Sequence, residues 1–228
     1  MAEAKRSNTH WGWMATALVF AILIIDQIIK IWVKTHMSLG EAIHVTDWFY
    51  IEFIENNGMA YGMTFINKLV LSLFRMVAIG LISVFLYKVI RSGRSLGYIT
   101  CLSMVLAGAA GNLIDCLFYG LIFEASTPFS IASFTSFGEG YSEFLHGKVV
   151  DMFYFPIIQT TWPDWMPFWG GREFIFFSPV FNFADACISV GAVVLFIFYR
   201  KELESINEVL LHSRKADSGN PDRDVAEE

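Results

Sequence analysis

The chain has 228 residues, of which 55% are hydrophobic and only 17% charged, with a formal net charge of −6. Average soluble domains carry about 25% charged residues. This composition argues against a disordered tether, a nucleic-acid binder or a disulfide-rich scaffold, and points to a lipid bilayer. Cys101, Cys116 and Cys187 lie far apart in apolar stretches without a C-x-x-C pattern, and read as small core hydrophobes.

Residues 1–10 carry Lys5 and Arg6 and are expected in the cytoplasm. The first apolar run, 11–33, is uncharged as far as Ile25 and then contains Asp26 and Lys30. No small-x-small cleavage site follows, so it reads as a retained helix and not as a signal peptide. Residues 35–67 have no Lys or Arg but contain Glu41, Asp47, Glu52 and Glu55. Within them, 43–65 is aromatic and β-branched, with Asn56-Asn57-Gly58 as a turn signal, and predicts a small sheet on the bilayer surface. The second run, 69–90, holds Arg75 and Lys88, and Arg91 and Arg94 follow it. The third, 96–118, is uncharged until Asp115. Residues 119–178 carry only Lys148 and Arg172 against six acids, with aromatics at Phe129, Phe134 and Phe137 and tryptophans at 162, 165 and 169. That density of Trp outside a span points to contact with lipid headgroups. The last run, 179–199, has Asp185 as its only charge. The tail, 200–228, opens with Arg200 and Lys201 and is polar and expected to be disordered from His212 onward.

Each run is close to the roughly 20 residues a span needs. The expected fold is therefore an all-α membrane protein: four transmembrane helices in one unit, 11–199, with a small extracytoplasmic β-element and an inserted outer loop. The Lys/Arg distribution puts both termini in the cytoplasm and the two long segments outside.

A charge inside a span costs about 2.5–3.5 kcal/mol near the centre, so each needs a reason. Counted at about 1.5 Å per residue, Asp26, Asp115 and Asp185 all fall toward the outer leaflet, where Asp151 also lies, between Val149-Val150 and Met152-Phe153. Asn112-x-x-Asp115 and Asn182-x-x-Asp185 repeat one pattern whose spacing puts amide and carboxylate on one helix face. Gly108, Ala109, Ala110 and Gly111 allow a second helix to approach closely. Two carboxyl groups sharing a site raise one pKa, so that one holds a proton while the other acts as a base, which is aspartic-protease chemistry. By this spacing alone the pair is Asp115 with Asp185. Asp26 and Lys30, four residues apart, also fit a helix-stabilising pair. Arg75 fits a snorkelling or ion-pair role. The five histidines contain no H-E-x-x-H, all lie outside the spans, and no metal or other cofactor is expected.

Five segments together resemble the prolipoprotein signal peptidases (signal peptidase II): Asp26-Gln27-Ile28-Ile29-Lys30, Asn56-Asn57-Gly58-Met59-Ala60-Tyr61, Gly111-Asn112-Leu113-Ile114-Asp115, Val149-Val150-Asp151 and Phe181-Asn182-Phe183-Ala184-Asp185. The resemblance implies Asp151 and Asp185 as the catalytic pair. It implies Asp26, Lys30, Asn57, Gly58, Asn112, Asp115 and Asn182 as supporting or substrate-binding residues. It also implies cleavage before a diacylglyceryl-modified cysteine of a prolipoprotein, at the outer face of a bacterial inner membrane, by a monomer in contact with lipid. Two features depart from the family: Cys116 stands where an Arg usually follows the Asp, and 120–147 is an insertion. Lys30 or Arg75 is expected to compensate for the missing Arg. The insertion fits a cover over the site, a contact with the substrate or an inert loop. The rival classes are an ion-coupled transporter, disfavoured by carboxylates gathered at one face without an inverted repeat, and a non-enzymatic membrane assembly subunit.

Overall fold

The structure is a computed structural model that describes residues 2–57 and 68–204, with side chains from His10 onward. Helix α1 runs Ala2–His36, α2 Lys68–Arg91 and α3 Leu96–Ile114. A π-helical turn, Asp115–Tyr119, and a short α4, Gly120–Ile122, continue α3. Among the described residues, three helical stretches are long and apolar enough to cross a membrane: His10–His36, Lys68–Arg91 and Leu96–Ile122.

The fourth apolar helix, α5, is Phe183–Phe198, 16 residues long. At about 1.5 Å per residue it rises roughly 24 Å, short of the ~30 Å hydrocarbon core. The expected start at residue 179 is thus corrected. Asn182 is extended (φ −116°, ψ 178°), and its side chain accepts the Asp185 N–H as an N-cap. Phe181 bridges to Phe153 of the sheet instead of joining the helix. After Tyr199 the chain forms a short α6, Arg200–Glu204. The expected disordered tail lies outside the described residues.

The predicted β-element is present with a different plan. Strands β1 (Ala42–Thr46) and β2 (Phe49–Asn56) turn at Asp47-Trp48, whereas Asn56 ends β2. A third strand, β3 (Val149–Tyr154), pairs antiparallel with β2, so the order is β1-β2-β3. The register sets Asp151 opposite Ile54 and Val150 opposite Glu55. Val149 to Met152 are buried, which accounts for the apolar run around Asp151. A separate two-stranded hairpin, β4 (Ile158–Thr161) with β5 (Glu173–Phe176), was not anticipated.

Helix α3 is the hub, packed on α5, α1 and α2. Small residues make this possible, because a Cβ at Gly108 would collide with the Ala184 carbonyl and one at Gly111 would come within 2.7 Å of Asp26 Oδ2. One core cluster joins Leu86, Val89, Tyr98, Ile99 and Leu102. A second joins α1 to the sheet and the inserted segment through Val33, Met37, Phe53, Tyr119, Phe123, Val150 and Met152. In contrast, α2 exposes Phe74, Val77, Leu81 and Val84, as a lipid-facing helix does.

The 120–147 segment is folded against the rest of the molecule. The Glu124 N–H donates to Ser133 O, Thr135 N–H to Ile122 O, and Tyr141 N–H to Phe123 O, while Leu39 N–H reaches Thr127 O. Its Ser126 hydroxyl donates to Glu55 Oε1 and accepts from Lys34 Nζ.

Candidate active site

The predicted polar residues form a stack that rises from buried ions, through two amides, to two carboxylates. At the base, Lys30 Nζ lies 2.9 Å from both Asp26 Oδ2 and Asp115 Oδ2, and all three side chains are at most 1% exposed. Gln27 Nε2 donates to Asp115 Oδ1 at 2.9 Å, and its Oε1 accepts from the Tyr119 hydroxyl at 3.0 Å. Asp26 Oδ1 accepts the Ala184 N–H at the start of α5, and Asp115 Oδ2 accepts the Val150 N–H of β3. The ion cluster therefore ties α1, α3, α5 and the sheet together.

Above it, Lys30 Nζ and Asn182 Nδ2 both donate to Asn112 Oδ1, at 2.9 and 3.0 Å. Asn112 Nδ2 then donates to Asp185 Oδ1 at 2.7 Å, and Asn182 Nδ2 to Asp151 Oδ1 at 2.6 Å. The repeated Asn-x-x-Asp pattern is realised in crossed form. Each amide serves a carboxylate outside its own pair, because Asn182 Oδ1 caps its helix at the Asp185 N–H and Asp115 turns to Lys30. Asn56 Nδ2 holds the other oxygen of Asp151 at 3.1 Å. Burial, and then the negative charge of Asp185, push the Asp151 carboxyl up to about 7 despite these two amide donors.

The structure thus brings Asp26, Lys30, Asn112, Asp115, Asp151, Asn182 and Asp185 into one connected network. Asn57 is exposed, and its Oδ1 accepts from Lys68 Nζ at 3.4 Å. Its neighbour Asn56 reaches Asp151, because successive residues of a strand point to opposite sides. Gly58 lies outside the described residues. Lys30 supplies the cation that Asp115 was expected to need. Arg75 does not; its Nη1 donates to Cys116 Sγ at 3.1 Å. Gln27, Asn56 and Tyr119 escaped notice as functional candidates, although Gln27 and Asn56 sit inside the quoted segments.

A second buried cluster flanks the first. Glu55 pairs with Lys34 and, at 2.8 Å, with Lys148. The Lys34 ammonium also lies over the rings of Phe53, Phe123 and Tyr141, at 5.0–5.9 Å from their centroids. Burial works to raise the Glu55 carboxyl, but the two lysines overcome it and hold it below the usual range.

The family profile of signal peptidase (SPase) II matches residues 18–200. A lipoprotein signal peptidase of Porphyromonas gingivalis is 51% identical over 194 residues, covering 85% of each chain. One from Amoebophilus asiaticus is 30% identical over 199 residues, covering 84% of this chain and 80% of its own. A bacterial membrane enzyme solved by the in meso method at 2.3 Å shares the fold, with TM-score 0.56 and 22% identity over 83% of this chain and 89% of that one. By the extent of the profile match and the identity to these relatives, this chain belongs to the signal peptidase II family, the membrane-embedded aspartic-type peptidases of lipoprotein processing.

Proposed function

We propose that Asp151 and Asp185 are the catalytic pair and that they cut a diacylglyceryl-modified prolipoprotein before its lipidated cysteine. The observation carrying this is the suspension of both carboxylates from one hydrogen-bonded Asn112–Asn182 pair, with the proton affinity of Asp151 raised by its burial and by Asp185. The pair shares one proton and one water. The ionised carboxylate takes a proton from water as its oxygen attacks the scissile carbonyl, while the neutral carboxyl gives its proton to the carbonyl oxygen, leaving a tetrahedral gem-diol. The carboxyl that took the water proton then passes it to the cysteine nitrogen as the C–N bond breaks, and the other carboxylate takes a proton back from the collapsing diol, which restores the shared proton. Asn112, Asn182 and Asn56 fix the carboxylate rotamers, and the Asp26–Lys30–Asp115 cluster fixes the amides. Asn57 and Gly58 are assigned to substrate binding, as the family resemblance implies.

In this reading residues 11–199 form one monomeric unit with four spans, α5 being a short fourth. Both termini are cytoplasmic, the active site faces the outer leaflet of a bacterial inner membrane, and lipid surrounds the helices. Support comes from the basic residues at the cytoplasmic ends of the runs and from the lipid-anchored substrate, whose scissile amide must lie at headgroup depth. The deciding experiment is Asp185→Asn assayed on a diacylglyceryl prolipoprotein. Signal-peptide release should fall by at least about 10²–10⁴-fold, with membrane insertion and thermal stability retained. Near-normal turnover in that variant would refute the assignment.

A further inference from the structure

We propose that the β4–β5 hairpin is an interfacial anchor whose apolar face and tip lie in the headgroup–acyl boundary of the lipid bilayer. The register sorts its two faces. Ile158 stands opposite Phe176 and Thr160 opposite Phe174 on one side, while Gln159 and Thr161 stand opposite Ile175 and Glu173 on the other. The hairpin is thus amphipathic. Its strands pair with each other and make no substantial contact with any other element among the described residues. A lone two-stranded hairpin is marginal in water, so its apolar face needs cover.

The tip is built to present aromatics. Trp162 packs on Phe174 and Trp169, with centroids 4.8 and 6.0 Å apart, and the Trp162 N–H and O pair with Arg172 O and Gly171 N–H. This frame leaves Trp165 78% and Phe168 92% exposed, with Phe168 held at φ +71°, a costly conformation for an aromatic residue. Trp and Phe in such positions belong at a membrane–water interface. The surface is also continuous with the membrane helices. Phe177 packs edge-on against Phe181, which precedes the Asn182 cap of α5, and α5 exposes Val190, Val193, Phe196 and Ile197. Lipid is therefore the occupant, in place of a second copy or the signal peptide. The inference rests on membrane embedding and not on the catalytic assignment.

The test uses the full chain in phosphatidylethanolamine–phosphatidylglycerol vesicles. Phe168→Cys and Phe176→Cys sample the apolar surface and Thr161→Cys the polar face, each labelled with bimane. The three native cysteines are buried, and unmodified enzyme serves as the labelling blank. Prolipoprotein cleavage by each variant reports its folding, with Trp165→Cys replacing Phe168→Cys if that variant misfolds. Lipid carrying a nitroxide near the headgroup should quench the labels at 168 and 176 at least about twofold, iodide should not, and the label at 161 should do the reverse. Equal quenching on both faces, or free iodide access at 168, overturns the proposal. So does shielding that appears only with added prolipoprotein, or that tracks protein density in the vesicle.

Discussion

Lys30 shows how one buried side chain organises this molecule. It carries one charge against two carboxylates in a site that excludes water, and its third donor is used on Asn112. Lys30→Met leaves Asp26 and Asp115 facing each other unpaired. It should cost about 3–5 kcal/mol of stability, read as a lower unfolding midpoint in detergent, and Lys30→Met with Asp115→Asn should recover part of the loss. Asp151 supports a prediction of opposite character. Its carboxyl binds a proton more tightly folded (about 7) than at its ordinary value of 3.8. The associated stability is complete below about pH 4 and is lost as pH rises through about 7. The unfolding midpoint of the native protein should therefore drop across that interval relative to Asp151→Asn, which has no proton to lose. On the catalytic reading, kcat/KM should also decline above about pH 7 as the shared proton leaves. A flat profile through pH 8 would separate Asp151 from the proton step.

Among elements, the α3–α5 contact and the folded insertion matter most. Gly108 lies against the Ala184 carbonyl, so Gly108→Val must push α5 away, shifting Ala184, Asn182 and Asp185 together. Overpacking costs about 1–3 kcal/mol, or more against backbone. Cleavage should suffer more than stability, seen as a fall in kcat exceeding any change in unfolding midpoint. The insertion reaches the site through Glu55, next to Asn56 on β2. Lys34→Met leaves Glu55 buried with Lys148 alone and should be markedly destabilising, whereas Lys34→Met with Glu55→Gln should be much closer to the native chain. Local sequence was a good guide to α1, α2 and α3, because long apolar runs between charges have few alternatives. It misplaced the start of α5 by a turn, since hydropathy does not register an N-cap. It did not show that the third strand of the sheet comes from residues 149–154, because pairing between strands far apart in the chain leaves no local signal.

For the whole molecule, one polar column runs through an apolar body. The exposed surfaces of α2 and α5 are apolar, Asp26, Lys30, Asp115 and Asp185 are held by one another or by amides, and Arg75 donates to Cys116 Sγ. A two-carboxylate mechanism requires no bound metal. Cleavage by enzyme reconstituted in phospholipid should therefore be unchanged by EDTA, and a loss restored by a divalent cation would speak against the paired-Asp chemistry.

The sequence by itself determined that this is a membrane protein, that its intramembrane charges are few, and that they gather toward one end of the helices. Those properties follow from hydropathy and from a rise of about 1.5 Å per residue. The five short segments were also enough to indicate the family. Only the tertiary structure decided which amide holds which carboxylate, that Asn56 and not Asn57 reaches Asp151, and that Lys30 and not Arg75 stands beside Asp115. Spacing along a helix fixes neighbours on one face, but a buried donor takes whichever acceptor close packing brings within 3 Å. Here that acceptor came from another element, because glycines let α3 approach both α1 and α5 and leave no water to satisfy the groups between them.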